Sequence, residues 1–135
     1  MPPDAKKTIA RLYTLVAKLP LESYLSSENF NIFCREYDLA DTWKEHSEYA
    51  KDRPDLYGRD TTRQAFILFF DHLIQTRPFE FLGILAAFLQ DLGRWSSHPV
   101  PVDAIKKTCV RLGFPAETVA EEFSKIESFG TRSEP

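Results

Sequence analysis

The segment RQAFILFFDHLIQTRPFEFLGILAAFLQDLGRW, from Arg63 to Trp95, constrains the fold more than any other part of the chain. It places six of the eleven phenylalanines within one quarter of the 135 residues. At 100° per residue, Phe66, Phe69, Phe70, Leu73 and Ile74 share one side of a helix running from Thr61 or Thr62 to about Thr76, while Gln64, Asp71 and Gln75 take the other. Pro78 is a favourable first position for a second helix, which is expected to end at about Leu92, before Gly93. In that second helix Phe81, Leu82, Ile84, Leu85, Phe88, Leu89 and Leu92 cover roughly two hundred degrees of arc. Only Glu80, Gly83, Gln90 and Asp91 remain for a polar strip. So wide an apolar arc needs neighbours on several sides, which predicts that the helix from Pro78 lies at the centre of a bundle.

The run is no membrane span. Crossing a bilayer takes about 20 mostly apolar residues, and Asp71, His72, Arg77 and Glu80 interrupt the sequence. Leu68 departs from the core pattern, because it projects among Gln64, Asp71, His72 and Gln75. It is expected to be exposed or covered by something else, and it gains interest as a contact only if Phe79 or Trp95, near the far end of the hairpin, also surfaces.

The same periodicity runs through the rest of the chain, and no strand alternation is sustained. A helix from about Asp4, a plausible N-cap, to Leu19 turns Ile9, Leu12, Val16 and Leu19 inward, with Tyr13 alongside, and Pro20 stops it. Ser26 or Ser27 caps the next helix, which carries Phe30, Phe33, Cys34 and Tyr37 inward and ends or bends at Asp38. LADTWKEHSEYAK gives Leu39, Trp43, His46 and Ala50 one face. KDRPDLYGRD reads as a loop, since Pro54 disfavours a helical Arg53 and Gly58 permits unusual backbone angles. Helices from Asp103 to Leu112 and from about Glu117 to Phe129 follow. The expected fold is all-α: a single antiparallel bundle of six or seven helices over residues 1–129, with residues 130–135 as a disordered tail.

Function is less legible. Two cysteines, Cys34 and Cys109, stand far apart with no histidine or second cysteine at metal-ligand spacing, so neither a disulfide framework nor a metal site is expected. The start of the chain does not read as a signal peptide, and a cytoplasmic (intracellular) setting is expected. There is no Walker loop, GxGxxG, HExxH or GxSxG, so no cofactor or catalytic residue is assigned. His46 lies on an apolar stripe and is expected to be partly buried and hydrogen-bonded. His72 adjoins Asp71, but helix neighbours point about 100° apart and cannot orient one another. His98 is expected to be solvated.

Charge offers more. The net charge is −3, which opposes generic binding of polyanions. Lys7, Arg11, Thr14 and Lys18 follow steps of four, three and four, placing three cations on the outer face of the first helix. Asp41, Glu45, Glu48, Asp52 and Asp55 form an acidic counterpart on and after the third. Opposite patches on separate helices suit head-to-tail association of identical copies or paired partners. The candidate interaction residues are therefore Lys7, Arg11, Lys18, Glu45, Glu48, Leu68, Phe79 and Trp95. The expected function is a non-enzymatic protein–protein interaction, adaptor or regulatory module, with a protein partner or self-association. The alternative is nucleic-acid binding through the basic ridge with Arg59, Arg63 and nearby lysines, and the third reading is a metal-free hydrolase or nuclease.

Near the end of the chain, AIKKTCVRLGFPAETVAEEF resembles a helix-turn-helix, with Gly113 at the turn and ETVAEEF in the place of a recognition helix. The LGFP turn also resembles that of ubiquitin-associated domains. As a DNA reader the last helix would present Glu117, Glu121, Glu122 and Glu127 to phosphate, with Lys125 alone to offset them, so no duplex DNA partner is expected. Packing of these two helices against the bundle is the better account. Size and helix count resemble those of death-fold adaptor domains, an analogy of architecture alone.

Overall fold

The computed structural model describes residues 5–51, 61–98 and 100–124. Among them the chain forms eight helices and no strand: α1 Ala5–Val16, α2 Leu21–Leu25, α3 Glu28–Glu36, α4 Ala40–Lys51, α5 Thr61–Thr76, α6 Pro78–Ser96, α7 Val102–Arg111 and α8 Ala116–Ser124. Asp4, the loop around Pro54 and Gly58, Asp52, Asp55, Arg59 and the chain after Ser124, including Phe129 and the 130–135 tail, lie outside the described residues.

Amphipathic spacing accounts for most of the elements. The inward stripes of α1, α5 and α6 are buried position for position, from Ile9, Leu12 and Val16 through Phe66, Phe69 and Phe70 to Phe81, Leu85, Phe88 and Leu92. α6 is the central helix, packing against α2, α3, α5 and α8. α5 lies between α6 and the pair α1 and α4, both of which pack against it. No helix of the described residues is long and apolar enough to cross a membrane.

Three elements differ from the sequence expectation. α1 ends at Val16, three residues before Leu19, which is still buried from the turn that follows. α2 is additional, a five-residue turn after Pro20 that has no side-chain cap and buries Leu21, Tyr24 and Leu25. Isolated turns of this length are not stable, so packing against α3 and α6 holds it. α6 runs four residues past Leu92 to Ser96. A glycine inside a helix costs about 1 kcal/mol relative to alanine, and here the Trp95 ring, 5.5 Å from that of Tyr24, offsets the cost of helical Gly93.

Local chemistry fixes the corners. Ser27 caps α3, its hydroxyl accepting from the Phe30 amide. α3 ends in a left-handed residue, Asp38 at φ 59°, with the Leu39 amide donating to the Cys34 carbonyl at 2.7 Å. Gly113 at φ 107° ends α7 in the same way, with the Phe114 amide returning to the Cys109 carbonyl at 3.4 Å. That turn delivers Phe114 flat against Phe81, ring centroids 5.4 Å apart. The LGFP motif therefore docks the turn between α7 and α8 on α6, where α8 also packs. At the α5–α6 corner, Arg77 donates to the Tyr37 carbonyl at the end of α3 at 3.1 Å while pairing with Glu80.

Candidate functional site

The apolar stripe of α1 decides which of its residues face outward. With Ile9, Leu12 and Val16 fully buried, Lys7 and Arg11 are left exposed, and Lys18 follows in the turn after the helix. α1 packs on α7 as well as α5, and the seam between α1 and α7 holds two recesses. One, of about 350 Å³, is lined by Lys7, Thr8, Arg11 and Arg111. The other, of about 280 Å³, is lined by Leu15, Lys18, Leu19, Val100 and Pro101. The start of α1 thus lies by the end of α7 and the end of α1 by the segment that leads into it, so the two helices run antiparallel with a recess at each end of their seam. The first is lined by three cations, and the second mainly by aliphatic side chains, with Lys18 at its edge.

Charge is concentrated here. Residues 5–18 and 100–111 carry seven cations and one anion, Asp103, leaving ten cations and nineteen anions for the rest of the chain. Asp103 pairs with Lys106 at 3.9 Å. Arg111 was not among the sequence candidates. It stands a hundred residues from Arg11, and only the packing of α7 on α1 brings the two guanidinium groups to one recess.

The other candidates lie elsewhere. Glu45 and Glu48 are exposed on α4, with Asp41 one turn before Glu45 and Tyr49 42% exposed beside them. Leu68 on α5 is half-buried. Phe79, in the first turn of α6, is fully exposed. Trp95 is half-buried and packs on the core, its ring against that of Tyr24. The structure therefore unites Lys7 and Arg11 with Arg111, and Lys18 with the apolar recess, but places the acidic pair on a separate helix.

Tyr24, Cys34, Cys109 and His46 are each buried or hydrogen-bonded. Tyr24 has no exposed surface, and its hydroxyl donates to Asp91 on α6. Burial first, then that bond and the carboxylate's charge, hold the phenol well above its ordinary value. Burial pushes both the Cys34 and Cys109 thiols up to about 12, far from the thiolate that a nucleophile requires. His46 is half-buried, its Nδ1 2.8 Å from the Thr42 carbonyl, and its ring lies 4.8 Å from that of His72 across the α4–α5 contact. A pairing of that kind between separate helices leaves no trace in sequence spacing. Among the described residues no group of three or more histidines, cysteines or acids could hold a metal. A third recess, of about 280 Å³ between α3 and α6, is lined by Asn29, Ile32, Glu36, Gln90 and Arg94 among others.

No known protein family, curated protein or solved structure matches the chain.

Proposed function

We propose that this chain is a protein–protein interaction module, and that its docking surface is the groove between α1 and α7. The observation that supports this reading is that a cationic recess and a mainly aliphatic one lie one helical turn apart beside the same helix, α1. Exposed ion pairs contribute only about 0–1 kcal/mol each, so a charged face alone makes a weak interface. A groove that offers cations for orientation and aliphatic side chains for burial supplies both terms. The matching partner is an acidic segment with one or two apolar side chains.

The cation excess on α1 and α7 also favours a second reading, nucleic-acid binding by the same face. Against it, among the described residues neither recess is lined by an aromatic side chain on which a base could stack, and α8 adds exposed Glu117 and Glu121 to a molecule of net charge −3. A photo-crosslinking residue in place of Leu15, in the native source, tests the choice. Trapping of a protein through an acidic segment supports the interaction module, and the Arg11→Glu/Lys18→Glu variant should lose that product without losing helical signal. Trapping of RNA or DNA, or submicromolar duplex binding that vanishes on reversal of Lys7 and Arg11, would establish nucleic-acid binding instead.

A further inference from the structure

We infer that the recess formed by Lys7, Thr8, Arg11 and Arg111 is a binding site for a phosphomonoester group, carried by the segment that docks in the groove. The inference rests on the α1–α7 docking surface proposed above and names the chemistry of its occupant. Lys7 and Arg11 stand one turn apart on α1, and Arg111 reaches the same recess from the last residue of α7. None of the three has a carboxylate partner among the described residues, and the one acid of the two helices, Asp103, is engaged by Lys106 eight residues before Arg111. Three like charges lining one concavity repel one another, and that repulsion is relieved by an anion seated between them.

The charge count selects the anion. A carboxylate brings one negative charge, whereas a phosphomonoester brings about 1.5 to 2 at neutral pH with three acceptor oxygens. Guanidinium groups meet such oxygens in a two-pronged fork, and two of them arriving from different helices can grip different edges of one phosphoryl group. The recess, at about 350 Å³, also has room for the side chain that carries the group. One turn further along α1, Leu15 opens the apolar recess with Leu19, Val100 and Pro101. A phosphorylated residue about one helical turn from an aliphatic one fits both ends of the groove.

The test uses the full chain, with the backbone amides of Lys7, Thr8, Arg11 and Arg111 followed by NMR at constant ionic strength. The probes are inorganic phosphate, a synthetic peptide with phosphoserine four residues ahead of a leucine, its serine counterpart and an oligothymidylate. Saturable shifts at these amides with millimolar phosphate are expected, with binding of the phosphopeptide at least tenfold tighter than that of the serine peptide. Arg11→Gln/Arg111→Gln should weaken phosphate and phosphopeptide at least tenfold. Arg11→Lys/Arg111→Lys, which keeps the charge and loses the fork, should fall between. Lys18→Gln should leave free phosphate unaffected. A phosphate response that fails to saturate, or that survives Arg11→Gln/Arg111→Gln in a folded protein, overturns the inference. Equal binding of the two peptides also overturns it, while leaving the acidic-segment reading of the groove intact. If neither peptide binds, both fall. If oligothymidylate displaces phosphate and binds more tightly than the phosphopeptide, the site belongs to nucleic acid.

Discussion

Phe88 is fully buried, and its ring centroid lies 5.4 Å from Phe70, 5.7 Å from Tyr24, 5.9 Å from Phe33, 6.0 Å from Phe30 and 6.2 Å from Phe66. Among the described residues no other side chain joins α2, α3, α5 and α6 through so many rings. Phe88→Ala should therefore cost about 3–5 kcal/mol, a large share of the about 5–15 kcal/mol that holds a domain together, and urea unfolding will read it directly. A second residue-scale expectation concerns alkali. Tyr24, Cys34 and Cys109 all hold their protons more tightly folded than unfolded, chiefly through burial. The unfolded chain gives up those protons first, so stability is full below about pH 9, where the thiols are protonated in both states, and falls as pH rises from 9 towards 12. The urea midpoint should follow that course. Cys34→Ala/Cys109→Ala should flatten the part just above pH 9 and leave the decline due to Tyr24 above pH 10. A midpoint unchanged from pH 8 to 11 would show that none of the three is buried as described.

At the scale of elements, α3 and α7 end where a residue takes a left-handed backbone. Asp38 and Gly113 occupy such positions at φ 59° and 107°, and each is followed by a residue that packs inward, Leu39 and Phe114. For a residue with a Cβ the left-handed region costs roughly 1–2 kcal/mol, which aspartate lowers by local hydrogen bonding and glycine avoids. Gly113→Ala and Asp38→Val should each lower stability by about 1–2 kcal/mol, whereas Asp38→Asn should be nearly neutral, as thermal melts will show. The sequence carried both stops, because glycine and aspartate are chosen for backbone reasons that act locally. It carried the stripes of α1, α5 and α6 for the same reason: one helix face is a property of spacing alone. α2 and the last turn of α6 were illegible, since both are held by Tyr24, Leu21 and Trp95 packing across the fold. Arg111 in the candidate recess was illegible for that reason too, being a matter of which helices meet.

Across the whole molecule the charges are sorted, with seven cations and one anion on residues 5–18 and 100–111 and an excess of nine anions on the rest. Such sorting supplies one acidic segment that is always present at the protein's own concentration, the outer face of α4. Asp41, Glu45 and Glu48 lie within about 60° of arc on that helix, and exposed Tyr49 flanks them. Asp41 and Glu48 are seven residues apart, as are Arg11 and Lys18. Laid parallel to α1, α4 of a second copy would set Asp41 near Arg11 and Glu48 near Lys18, with Tyr49 towards the apolar recess of Leu15, Leu19, Val100 and Pro101. Association should then appear by light scattering as concentration rises and weaken with salt. Arg11→Glu/Lys18→Glu should abolish it while leaving the melting temperature within a few degrees, because all the altered side chains are exposed. Glu45→Lys/Glu48→Lys should do the same, and mixing the two reversed proteins should restore pairing, since each then offers the face the other lost. A chain that stays monomeric at high concentration removes the second copy as occupant and leaves the groove to a foreign acidic segment. A chain that associates but ignores both reversals has its interface elsewhere, and exposed Phe79 is then the first side chain to truncate.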